Sequence, residues 1–388
     1  MKNKVLIIFK YPHNHWNEPV LNKFSNYYET HSIFISDFKD KNFVEIVNDI
    51  NFLIKSKNIE IVVFDVDYFK FINFFFINKI DCKKKILITG DDSELHEINS
   101  ITASACDLVL SACPLSVFKY REKGYESLLI HFESGKINNS NREKEIDVLF
   151  FGALTVDRKK FLDHVEKEGI NLKNIGHEEG ADGLPEDQLL NFISKSKIVL
   201  NLSKTRTSSI KNFSSEGIYN YYYQFKGRII MAGLNGAVCV SEYSPGQEML
   251  FNENEVPTFF SKEECLSIVK KLLKDKELYE RYRKNFFTKV SELCEDSKNF
   301  KPIFDNIEKP SHRKIKLIKF PYWYLRIAAK QIILRNIKLS RIVKNIFQLG
   351  TIYELAKNSN PAIKFLIIFE TFLNILWYSI TLTLKTKK

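Results

Sequence analysis

KGRIIMAGLNGAVCVSEYSPGQE, residues 226–248, is the stretch whose reading decides the fold. Lys226 to Leu234 reads as a short helix with small residues at Ala232 and Gly233. Gly236 gives an exit, Ala237 to Ser241 an apolar strand, and the turn beyond carries Glu242, Ser244 and Gly246. A crossover of this kind lets backbone approach an anionic ligand closely. The same pattern also fits an ordinary helix-to-strand crossover in a core.

Outward from it, the alternation of short apolar runs and helical segments continues. Ile146 to Gly152, Ile198–Leu202 and Val256–Phe260 read as strands; Pro185–Ser194, Glu263–Lys274 and Lys276–Leu293 read as helices. Residues 1 to 131 repeat the pattern, with strands expected at Lys4–Phe9, Ser32–Ser36, Glu60–Asp65, Lys85–Thr89, Asp107–Leu110 and Ser127–His131. Each run is short and almost continuously apolar, as in parallel sheets covered on both faces. The polar stretch Gly135 to Glu145 reads as an exposed linker. The expected architecture is therefore α/β: two Rossmann-like domains facing a cleft, 1–134 and 146–308, joined by linker 135–145 and followed by a helical extension, 309–388. Such sheets take ligands at the carboxyl ends of their strands.

With 388 residues and 44% apolar content, the chain has material for two cores. The six cysteines contain no CxxC pair and read as reduced thiols, not a zinc site. Val5 to Phe9 is too short an apolar run for a signal-peptide core, so the globular part is expected in the cytoplasm.

Of the net charge of +11, the last 80 residues carry +14, from 16 Lys or Arg against two Glu; the first 308 carry 42 basic against 45 acidic groups. Lys330, Arg335, Lys338, Arg341 and Lys344 recur among Ile332, Ile333, Ile337, Ile342, Val343, Ile346 and Phe347, giving a basic face beside an apolar one. This is the pattern of a helix lying in a membrane interface. Phe320, Tyr322, Trp323 and Tyr324 add rings suited to headgroup depth. Phe365 to Leu384 has Glu370 as its sole charge, and the basic residues after it argue for an in-plane or re-entrant helix over a span. A tail packed on the α/β body is the alternative. A nucleic-acid partner suits the charge but not the continuous apolar spacing.

Residues Asp147 to Asn285 resemble GT-B glycosyltransferases, closest to the CgeB-like branch typified by spore-maturation proteins. The resemblance rests on Asp147-Val-Leu-Phe-Phe-Gly152 followed by Arg158, on Val199-Leu-Asn-Leu-Ser203, and on Lys226 to Glu242 with Glu255 to Phe260 and Ser261 to Glu264. Gly90-Asp91-Asp92-Ser93, Cys106 to Leu110 and Tyr120 to Gly124 resemble the N-terminal half. The resemblance implies a nucleotide-sugar donor, with no metal and no further cofactor. A diphosphate needs backbone N–H groups and cations. Gly152 offers close backbone approach, while Arg158, Lys204, Arg206 and Arg228 offer charge. Glu242 is implied near the donor's ribose or sugar, with Ser244 and Gly246 along the diphosphate.

Many relatives have Arg-x-Phe-Glu-Ala where this chain has Arg228-Ile-Ile-Met231-Ala232, so the usual glutamate is replaced and the retaining or inverting outcome stays open. An inverting enzyme needs a general base on the N-terminal domain. Asp91 ranks first and His13 second, with Asp92 beside them; Asp92 before Ser93 and Glu94 also fits a helix cap. His131 and His177 are weaker candidates. The expected activity is sugar transfer to a lipid-linked or surface-polysaccharide acceptor by a peripheral enzyme at the inner membrane face, with residues 309–388 binding the membrane. The alternative is a non-catalytic GT-B-like scaffold in a surface-glycan assembly complex.

Overall fold

The apolar runs fold into two largely parallel sheets in a computed structural model of the full chain. The structure describes residues 2–12, 14–66, 71–90, 92–131, 143–178, 183–204, 223–309, 320–333, 361–363 and 365–373. By contacts the chain divides into two units. The first comprises Met1–Ser111, Val117–Leu128 and Pro310–Lys388, the second Ala112–Ser116 and Leu129–Lys309.

In the first unit the strands are β1 (Lys4–Phe9), β2 (Glu29–Phe34), β3 (Ile61–Val66), β4 (Lys84–Thr89), β5 (Leu108–Ser111) and β6 (Ser127–Leu129), in the order β2-β1-β3-β4-β5-β6. β1 pairs in parallel with β2 and β3, and the parallel ladder continues through β4 to β5. The second strand lies earlier than the apolar run Ser32–Ser36 predicts. β2 is only half-buried, and Ile35–Phe38 turns into a 3₁₀ helix. As an edge strand it tolerates the polar residues that the sequence reading excluded.

The second unit contains β7 (Ile146–Phe150), β9 (Leu172–Asn174), β11 (Ser196–Asn201), β12 (Val238–Glu242) and β13 (Thr258–Phe259), in the order β13-β12-β11-β7-β9, and all these pairings are parallel. A small parallel pair, β8 (Ala153–Leu154) with β10 (His177–Glu178), lies beside it. Side chains alternate between two cores because strand residues point to opposite faces. Val148, Phe150, Ile198, Leu200, Val238 and Val240 meet Leu162, Val165, Cys265 and Val269 on one face. Leu149, Val199 and Cys239 meet Ile193, Ile229, Ile230, Phe286 and Val290 on the other.

This second core explains one glycine of the opening stretch. Helix Arg228–Leu234 runs so close to helix Lys276–Leu293 that a Cβ on Gly233 would lie 2.6 Å from Val290 Cγ2. The small residue there serves helix packing, not ligand approach.

The described part of the extension packs on the first unit. Helix Tyr322–Ile333 buries Leu325 and Ala329 in the core that contains Phe71 and Phe76. Phe320 lies 4.8 Å from Phe74 and 5.0 Å from Phe75, ring to ring. Tyr324, 1% exposed, takes the Phe74 N–H on its hydroxyl at 2.9 Å and meets Thr102 Oγ1 at 3.1 Å. Tyr324 is thus a core residue, not a ring at headgroup depth, and Phe320 packs, partly buried, against the same core. The amphipathic basic pattern beyond Ile333 falls mostly on residues 334–360, outside the described residues.

Tyr324→Phe removes the acceptor of a buried N–H and should cost about 1–3 kcal/mol, read as a lower urea midpoint with an unchanged slope.

Candidate functional site

Strand order in the second sheet reverses at β7, with β9 on one side and β11 on the other. The crevice at the carboxyl ends of β7 and β11 is where such sheets accept ligands. Six of the predicted donor residues belong to segments that begin there or at the end of β12.

Gly152 follows β7 with φ +107°, a conformation glycine adopts without strain. An added Cβ would collide with the Arg228 guanidinium. That guanidinium lies over the rings of Phe150 and Phe151, 5.3 and 5.4 Å from their centroids. Two aromatic faces and a bare glycine therefore hold one cation at the end of β7.

Arg158, at the start of helix Val156–Lys167, has a different job from the one its sequence context suggests. It is 5% exposed, and its guanidinium donates to Ala153 O (2.8 Å), Leu202 O (3.2 Å) and Lys204 O (2.8 Å). It ties the ends of β8 and β11 together through backbone carbonyls, and so shapes the crevice.

Glu242 ends β12 and is partly buried; its carboxylate accepts the Lys204 N–H at 2.9 Å. Burial raises its pKa, opposed by backbone donation from Lys204 and Ser203 and by the charges of Arg158 and Lys204. The Lys204 ammonium pairs with Asp157 at 3.1 Å. The structure thus brings Arg158, Lys204 and Glu242 together, and separately Gly152 with Arg228. Ser244 is fully buried, its hydroxyl 3.5 Å from Gln247 Oε1, so it supports the turn from within. Gly246 holds φ +92° before the 3₁₀ turn Gln247–Met249. Arg206 lies outside the described residues.

A polar network that the sequence reading missed supports these strand ends. Asn201, fully buried at the end of β11, donates to Ser203 Oγ (3.0 Å) and Ser241 Oγ (2.8 Å). Ser241 donates to Gln247 Oε1 at 3.0 Å, and Gln247 Nε2 reaches Thr258 Oγ1 at 2.9 Å. The available signal was the amide and hydroxyls interrupting apolar strands at Asn201, Ser203 and Ser241.

Among the base candidates, Asp91 and His13 lie outside the described residues. Asp92 is fully buried, and its carboxylate is saturated. Thr89 Oγ1 and Ser111 Oγ donate to one oxygen at 3.0 and 2.9 Å; Asn99 Nδ2 and Tyr120 Oη donate to the other, both at 2.9 Å. The geometry makes it a tie between β4, β5 and the helices Asp92–Ala103 and Pro114–Glu122, with no lone pair turned toward an acceptor hydroxyl. His177 is partly exposed, with Nδ1 3.0 Å from Glu178 O. Burial pushes the pKa of His131 down to about 4, which keeps it neutral in the fold.

Residues 158–292 match the model of a family described as Glycosyl transferase-like. No curated protein matches the chain by sequence. Among solved structures, Anabaena HepE in complex with UDP and glucose superimposes with TM-score 0.53 at 10% identity, over 79% of this chain and 99% of that one. Sucrose-phosphate synthase from Thermosynechococcus elongatus gives 0.53 at 9%, over 79% and 98%. An alpha-glucosyltransferase in complex with UDP and a 13-mer DNA gives 0.51 at 11%, over 80% and 100%.

Two outcomes check the assignments. Asp92→Asn turns one acceptor into a donor facing donors and should lower stability by about 2 kcal/mol or more in urea unfolding; a lost turnover at unchanged stability would instead return Asp92 to the chemistry. For His131, the unfolded chain binds the extra proton between pH 6.5 and about 4, so its contribution is whole above pH 6.5 and is lost as pH falls toward 4. His131→Leu should therefore show a smaller stability loss than the parent between about pH 7 and about pH 5, in keeping with that sign.

The fold is that of GT-B glycosyltransferases, and with the family match over residues 158–292 it supports a glycosyltransferase.

Proposed function

We propose that the chain transfers a sugar from a nucleotide-sugar donor held at the β7–β11–β12 ends to a lipid-linked or surface-polysaccharide acceptor. The same proposal sets the reaction at the inner face of the cell membrane. The single observation that carries the donor assignment is that a cation on bare backbone and an acceptor carboxylate stand, each with its own partners, at the carboxyl ends of strands in the same sheet. Arg228 rests against Gly152, and Glu242 lies at the end of β12 beside the Lys204 amide. A diphosphate calls for the first feature, and sugar hydroxyls for the second. UDP occupies the structurally similar HepE and the alpha-glucosyltransferase, which makes a nucleoside diphosphate the first ligand to test.

The acceptor and the location rest on the tail. Its charge of +14 draws it toward anionic lipid, and an enzyme whose acceptor sits in a membrane gains effective concentration by binding there. The Arg228 to Glu242 motif supports the CgeB-like branch. Met231 packs among the apolar residues of the core, so the position that carries glutamate in many relatives is apolar here. This favours chemistry that does not use a carboxylate at that position, or the scaffold reading if turnover is absent.

The test is a thermal-shift panel of nucleoside diphosphates and nucleotide sugars with purified protein, followed by turnover with membrane extract. Arg228→Ala and Glu242→Gln should each weaken the donor at least about tenfold, a loss of about 1.4 kcal/mol, at nearly unchanged melting temperature of the free protein. Absence of both shift and turnover across the panel rejects the reading. Shift without turnover supports the scaffold.

A further inference from the structure

Helical residues 361–363 and 365–373 present two faces of opposite fate. Ile367 is 2% exposed and belongs to the core of the first unit, together with Leu325 and Ala329 of helix Tyr322–Ile333; Ile363 packs against the same core. Thr371 is buried on that side, and Glu370 makes an ion pair with Arg326 Nε at 3.0 Å. Turned outward are Phe365 (67% exposed), Leu366, Phe369, Phe372 and Leu373 (46–47%). Phe365 and Phe369 stack at 5.8 Å and 9°. At about 100° per residue these five side chains fall in a stripe roughly 120° wide, opposite Ile363, Ile367 and Thr371.

We propose that this stripe is a lipid-inserting face for an anionic membrane surface, held in fixed orientation on the first unit. The inference rests on the membrane location proposed above and names the surface that would achieve it. Large aromatic and aliphatic side chains left in water on one helix face, with no polar residue among the five, are the apolar half of an interfacial helix. The charge supplies the other half. Residues 309–344, which lead into this segment, contain eleven Lys or Arg and no Asp or Glu, and Lys385, Lys387 and Lys388 follow it. A protein partner for a stripe of this size does not call for such an excess of one sign, whereas an anionic lipid surface does.

The packing also sets the mode of insertion. A spanning helix would have to strip Ile367 and Thr371 from the core and break the Arg326–Glu370 pair. An in-plane helix keeps both and buries the stripe to shallow depth.

The experiment is flotation of the full chain with vesicles of phosphatidylcholine alone and of phosphatidylcholine with about 30% phosphatidylglycerol, an anionic content suited to reading the surface-potential effect. Phe365→Ser/Phe369→Ser/Phe372→Ser changes only exposed side chains and should leave the melting temperature and any nucleotide-induced thermal shift unchanged. The parent is expected to float with the anionic vesicles and far less with the neutral ones, and the triple variant to bind at least tenfold more weakly. Equal flotation of parent and variant, or no flotation of the parent, overturns the proposal. A parent that sediments as a dimer while the variant is monomeric, with no vesicle binding, overturns it in favour of a second copy of this chain. Because flotation needs no turnover, a lost nucleotide shift with intact stripe-dependent flotation would count against the donor reading alone.

Discussion

A parallel sheet covered by helices on both faces turns its polar groups out at the strand ends, and ligands meet it at the carboxyl edge. In the second unit this constraint governs nearly every functional candidate. The strand interiors are apolar on both sides, from Val148 and Leu149 to Val238 and Cys239. Polarity begins abruptly at Asn201, Ser203, Ser241 and Glu242, where the ladders end. Buried polar groups must find partners, and here they find them in one another through Asn201, Ser241, Gln247 and Thr258. The network fixes the strand ends relative to one another, so the Lys204 amide and the Glu242 carboxylate stand in a set geometry before any ligand arrives.

Two carboxylates show how environment separates structure from chemistry. Asp92 receives four hydrogen bonds and has no exposed surface. Glu242 receives the Lys204 amide, remains partly open, and has its pKa raised by burial. The first has its hydrogen-bonding capacity spent on the fold, whereas the second accepts one backbone N–H and keeps part of its surface open. Arg158 and Arg228 also differ in their surroundings. The guanidinium of Arg158 is committed to three carbonyls, while that of Arg228 lies against ring faces and a glycine that leaves backbone open.

Most strands were legible because a fully buried strand writes itself as an apolar run. Lys4–Phe9 and the helix Lys276–Leu293 lie where the pattern puts them. β8, β9 and β10 were not legible, because two- and three-residue strands with half-exposed side chains leave no run to read. Among the candidate site residues, the family resemblance marked Gly152, Arg158, Arg228 and Glu242 but not their contacts. A guanidinium that holds carbonyls and one that lies over aromatic rings look the same in sequence. Gly233 misled in the other direction, since close approach of Val290 demands a small residue just as close approach of a ligand would.

The extension carries this ambiguity furthest. An amphipathic, aromatic and basic tail reads as membrane-binding along its whole length, yet Tyr324 is consumed by the core of the first unit and Phe320 packs, partly buried, against it. What decides between the two fates is periodicity measured against a partner surface, which sequence alone does not contain. Tyr324 has a partner for its hydroxyl as well as for its ring, so burial satisfies all of it. The outward residues of 365–373 have no such partner among the described residues, while their neighbours one turn away are held by Leu325, Ala329 and Arg326. The buried face therefore fixes which side chains remain outward, and the same contacts that shorten the list of outward-facing residues give those that remain a defined direction on the first unit.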